Sequence, residues 1–173
     1  YVISPDWRGF GLSDRDHRSY WFPDYYGDLD ALLDIYSPGT PALLVGHSMG
    51  GFISLNYAGI RPDRVARVIS MEGFGLARTR AEDAPRRVAK WLEQIKAPPS
   101  FRPYDSFDEL AARLRKDNPR LTPDRALFLA GQWGRRADSG KVLMVNDPAH
   151  KIINPILYRP EEILAGWRNV AAP

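Results

Sequence analysis

Ala42-Leu43-Leu44-Val45-Gly46-His47-Ser48-Met49-Gly50-Gly51-Phe52-Ile53 is the stretch on which the fold turns. Its first four residues are a compact apolar run, the pattern of a strand buried on both faces of a parallel sheet. Gly46 to Gly51 reads as a tight turn. Phe52, Ile53, Leu55, Asn56 and Tyr57 continue as a helix that stops before Pro62. A serine at the tip of such a turn has a physical use. Held in strained backbone, its hydroxyl projects above the sheet edge, and glycines on both sides let strand and helix approach closely. The first N–H groups of the helix, that of Met49 among them, point where negative charge would develop, and the helix dipole favours it. Glycine and serine are common residues, so the pattern alone is weak. The bland alternative is a tight turn with an idle serine.

Working outward, Tyr1 to Ser4 reads as a short buried strand, followed by a polar, glycine-rich turn from Asp6 to Ser13. Asp24 can cap a helix in which Tyr25, Leu29, Leu32, Leu33 and Tyr36 recur at helical spacing. Ser37 to Pro41 ends it. Val65 to Met71 is a further strand. Strands alternating with helices predict parallel crossovers and a doubly wound α/β layer.

After Gly73-Phe74-Gly75 the character changes. Ala84 to Lys96 is predicted helical, with Val88, Trp91, Leu92 and Ile95 on one face. Ser106-Phe107-Asp108-Glu109 is a capping box opening a helix through Lys116. Thr122-Pro123 starts another, running towards Trp133. Lys141 to Val145 fits a short strand or an extended loop, and Pro160 begins a last helix through Ile163, Leu164 and Trp167. The expected domains are a core over residues 1–75, a mostly helical cap over 76–158 and a return helix over 159–173.

Composition excludes several classes. Of 173 residues, 44% are apolar and 26% charged, so a packed core is expected and disorder is not. With no cysteine, disulfides and thiolate metal sites are ruled out. His17, His47 and His150 show no ligand spacing, so no metal or other cofactor is expected. The net charge of +3 comes from scattered arginines, read as solvated helix faces, not as a nucleic-acid surface. No stretch approaches the roughly 20 apolar residues of a membrane span. A soluble, cytoplasmic protein of undetermined oligomeric state is the expectation.

Two motifs resemble the α/β-hydrolase superfamily, in its branch with a helical cap. Gly46-His47-Ser48-Met49-Gly50-Gly51 is similar to its nucleophile elbow, and Asp6-Trp7-Arg8-Gly9-Phe10-Gly11-Leu12-Ser13 to a turn that precedes the elbow by about 35 residues. The resemblance implies that Ser48 is the nucleophile and that Met49 N–H lies in the oxyanion hole. It also implies that Asp6 and Arg8 are mainly structural, and that His47 is a packing residue instead of the general base. A serine nucleophile needs a histidine and an orienting carboxylate. The family places them after two further strands, expected after Pro173, and its earlier strands before Tyr1. Residues 1–173 alone are therefore expected to be inactive.

Family members that open epoxides or carbon–halogen bonds carry an aspartate at the nucleophile position. Ser48 points instead to esters, lactones or related acyl bonds of a small, apolar substrate. Trp21, His47, Phe74, Trp133 and His150 are candidates for lining that substrate, although such aromatics more often serve core packing. His150 and His17 are weak alternatives as bases. The competing reading is a catalytically silent ligand-binding protein of the same fold.

Overall fold

The computed structural model describes residues 1–15 and 19–173; His17 lies outside the described residues. The chain divides into two compact units, Trp21–Trp91 with Asn154–Pro173, and Tyr1–Tyr20 with Leu92–Ile153.

The first of these is the α/β unit. Its helix α1, Phe22–Tyr36, starts two residues before the predicted cap. Asp24 is its third residue, and the carboxylate reaches back to accept from the N–H of Trp21 at 3.2 Å. Strand β1, Ala42–His47, runs into α2, Met49–Ile60, and the chain returns through a 3₁₀ turn at Pro62–Arg64 to β2, Val65–Met71. The two strands are parallel neighbours, with Leu44 opposite Val68 and Val45 opposite Ile69. Parallel pairing demands a long crossover, and α2 supplies it.

Helix α2 is the centre of this unit. Phe52, Ile53, Tyr57 and Ala58 are buried. Phe22 of α1 rests its ring 4.5 Å from that of Phe52, and Tyr57 O–H donates to Asp30 of α1 at 2.5 Å. Helix α6, Pro160–Trp167, meets α2 backbone to backbone, because a Cβ on Gly59 would fall 2.1 Å from the carbonyl oxygen of Gly166. Any side chain at residue 59 would force the helices apart.

Two expectations are corrected. Tyr1–Ser4 form no strand; they pair with no described residue, and Tyr1 and Val2 stand in solvent. Extended apolar sequence becomes a strand only where a neighbour accepts its hydrogen bonds. The two-sided burial predicted for β1 is also absent. Among the described residues α2 packs on both strands of this sheet, while Leu43, Val45, Ile69 and Met71 are exposed.

In the other unit, helix α3, Ala84–Lys96, contributes its end, since the division falls between Trp91 and Leu92. Ser106 Oγ caps α4, Phe107–Asp117, by accepting from Glu109 N–H at 3.1 Å. The Glu109 carboxylate takes the N–H of Asp105, one residue earlier than a capping box requires. Thr122 caps α5, Pro123–Trp133. The hairpin of β3, Gly134–Arg136, and β4, Val142–Met144, follows, and Tyr104 bridges to Val142 on the far side. Strand β3 was not expected, since Arg135-Arg136 reads as a solvated basic pair. Leu110, Ala111, Ala126, Ala130 and Val142 form the core.

Leu110 is 1% exposed at the centre of that cluster. Leu110→Ala removes a buried isopropyl group from a site walled by two helices and a hairpin, and should lower unfolding free energy by about 2–5 kcal/mol. Chemical denaturation of the full-length protein checks this; a loss below about 1 kcal/mol would mean the cluster collapses freely around the gap.

Candidate active site

The turn between β1 and α2 is built by close approach. A Cβ on Gly46 would sit 2.3 Å from the backbone carbonyl of Gly50, so the first turn of α2 folds back onto the strand end with no side chain between. The chain reverses at Ser48, whose φ of 51° and ψ of −118° lie where a residue with a Cβ is strained. Ser48 N–H donates to Met71 O at 2.7 Å, tying the turn to the end of β2. Its carbonyl accepts from Phe52 N–H at 3.0 Å, the first bond of the helix. The residue is exposed. Met49 opens α2, so its N–H has no carbonyl one turn earlier in the helix to bond.

Strain recurs one step away. Glu72 follows β2 with φ of 56°, and Ser48 and Glu72 are the two non-glycine residues of positive φ among those described. His47 Nε2 and Glu72 Oε2 lie 3.3 Å apart, with both side chains largely in solvent. Sequence reasoning gave Glu72 no part in this edge. Its signal, a bulky acidic residue just before Gly73, is too common to stand out. Phe74, two residues further on, is exposed, and Trp21, immediately before α1, is partly exposed.

Trp133 and His150 belong to the other unit. Trp133 ends α5 and is partly exposed. His150 sits in a 3₁₀ turn, Pro148–Lys151, with its ring stacked between Phe10 and Tyr20 at centroid distances of 4.1 and 3.9 Å. Beneath it Asp147 is buried, accepting from Tyr20 O–H at 2.8 Å and from Ala149 N–H at 2.9 Å. Asp147 N–H donates to Gly9 O at 2.7 Å, which ties in the Asp6–Ser13 turn. That turn also holds itself together. Asp6 Oδ2 accepts from Leu12 N–H at 3.0 Å, and Ser13 Oγ donates to Asp6 O at 2.6 Å. Among the described residues no group of three histidine or acidic side chains could hold a metal.

Burial pushes the His150 imidazole below its ordinary value of 6.5, against smaller opposing effects from the Gly9 backbone, the Asp147 charge and the Arg8 backbone. With a depressed folded-state value, the unfolded chain binds the proton first as pH falls. The neutral ring's contribution to stability is therefore complete above about pH 6.5 and is lost as pH drops through that value towards the folded one. His150→Phe keeps a ring in the stack and should flatten unfolding free energy against pH between about 7 and 5. An unchanged slope in chemical denaturation would assign that acid sensitivity to other groups.

Comparison with known proteins bears on the fold. A family model described as alpha/beta hydrolase fold matches residues 1–148. The chain is similar to a 2-(acetamidomethylene)succinate hydrolase of Mesorhizobium japonicum, 34% identical over 123 residues, which are 68% of this chain and 44% of that protein. It is also similar to a cis-3-alkyl-4-alkyloxetan-2-one decarboxylase of Shewanella oneidensis, 31% identical over 78% of this chain and 44% of the relative. Among solved structures, a hypothetical protein from Pseudomonas aeruginosa PAO1 superposes with a TM-score of 0.80 at 25% identity, over 97% of this chain and 60% of the other. The chain thus spans less than half the length of the curated relatives it matches. With a strand, a strained turn and a crossover helix of the expected form, and a family model covering most of its length, the chain belongs to the α/β-hydrolase fold family and has hydrolases among its relatives.

Proposed function

We propose that the protein is a serine hydrolase that cleaves an ester, lactone or related acyl bond of a small, apolar substrate through an acyl-enzyme on Ser48. The observation that carries the reading is the backbone of Ser48, a non-glycine residue held at positive φ at the tip of the β1–α2 turn. Such strain is kept where the surrounding structure imposes it, and it clusters at active sites. In the proposed reaction Ser48 Oγ bonds to the acyl carbon while its proton passes to a histidine base. The negative charge on the acyl oxygen is met by Met49 N–H and the N-terminal end of α2. The leaving group departs with a proton, and water then attacks the acyl-enzyme to release the acid. The base and its orienting carboxylate are assigned to the part of the hydrolase fold that this chain, at 44% of its relatives' length, does not span. One relative is named a hydrolase and the other a decarboxylase, and neither fixes the substrate of this protein.

A fluorophosphonate probe applied to the full-length protein should label Ser48, as read by peptide mass spectrometry. Ser48→Ala should abolish labelling and cut turnover of a short acyl ester by roughly 10⁴-fold or more with the fold retained. Labelling elsewhere on the folded protein would overturn Ser48 as the nucleophile, and no labelling would favour the silent ligand-binding reading.

We assign substrate choice to the helical segment over 76–158. Trp133→Ala should change relative kcat/KM across a series of acyl chain lengths more than it changes thermal stability. Equal slowing of every ester would leave the segment without a part in selection.

A further inference from the structure

Helix α4 carries two stripes. Leu110, Ala111 and Leu114 pack in the core of their unit. Glu109, Arg113 and Lys116, at helical spacing, share a face that borders a cleft of about 590 Å³. Phe101, Arg102 and Tyr104 form another wall, and Lys151 closes it from the 3₁₀ turn. The volume falls in the range of small-molecule sites, roughly 300–1,000 Å³.

The chemistry of the wall is one-sided. Four cationic side chains face one carboxylate, Glu109. Arg102 is paired with that carboxylate, and Arg113 pairs with Asp117 at 3.1 Å. Each guanidinium has five N–H donors, so both keep donors beyond those pairs. Lys116 and Lys151 make no ion pair among the described residues. Lys151 Nζ instead lies 4.0 Å from the centroid of the Phe101 ring, and Arg102 lies over Tyr104 at 5.7 Å. The aromatic faces thus hold cations at the rim of an open cleft and offer flat apolar surface beside them.

We propose that this cleft binds a small phosphate monoester with an aromatic or apolar body. Two ammonium groups without carboxylate partners match a head carrying close to two negative charges near pH 7. A carboxylate, with one charge, would match only one of them. Phe101, Tyr104 and Ala112 give the body of the ligand an apolar wall to pack against. None of the lining residues belongs to the unit that carries Ser48, so the proposal does not rest on the hydrolase reading.

Phenyl phosphate titrated into the full-length protein by calorimetry should bind saturably, one per chain, with Kd on the order of 0.1–1 mM. Lys116→Gln combined with Lys151→Gln should weaken it at least tenfold, each single substitution should weaken it in part, and Ser48→Ala should leave it unchanged. Benzoate should bind more weakly and benzyl alcohol not at all. Absence of saturable binding, or equal affinity in the double variant, would overturn the site. Equal affinity for benzoate and phenyl phosphate would overturn the phosphate assignment.

Discussion

The constraint on which the α/β unit depends is the contact between Gly46 and the backbone of Gly50. Strand end and helix start are pressed together so closely that even a methyl group has no room. Once they are, the residue between them must reverse the chain in a single step, which puts Ser48 in a conformation a side chain resists. The same closeness aims α2 along the sheet, so that the crossover returns beside β1 and Met71 O meets Ser48 N–H. A second contact of the same kind, at Gly59, fixes the other end of α2 against α6. The helix is located at both ends by backbone touching backbone, a geometry with little freedom to drift.

Polar groups follow a simple division between inside and outside. Asp147 is buried and accepts from Tyr20 O–H and Ala149 N–H, and Tyr57, also buried, places its hydroxyl on Asp30. Leaving such groups unpaired would cost about 1–3 kcal/mol each, so these bonds specify how their segments fit. Exposed pairs such as Arg113–Asp117 and Arg78–Glu161 stay in solvent and add little to stability.

What the sequence made legible was local. Pro62, Pro123 and Pro160 mark real boundaries because proline acts on its own backbone, and Ser106 and Thr122 cap their helices through N–H groups three residues away. The Ser48 turn is legible for the same reason, its geometry being set within six consecutive residues. Pairing is not local. Tyr1–Ser4 look like a strand but pair with no described residue, and Arg135-Arg136 are solvated as they look, yet their backbones find Leu143 and Val142 opposite. The surroundings of His150 were equally hidden, since Phe10 and Tyr20 come from the opposite end of the chain.

That last arrangement sets an order of events during synthesis. Tyr20 reaches Asp147 across 127 residues of chain, and Arg15 reaches Val145 across 130. At about 5–20 residues per second, Arg15 and Tyr20 emerge on the order of 10 s before their partners exist. The β1–α2–β2 crossover, whose contacts lie within Ala42–Met71, needs no such delay. Phe10 and Tyr20 are thus enclosed later than the crossover that follows them in sequence, and for that interval they are apolar surface open to chaperones or to aggregation.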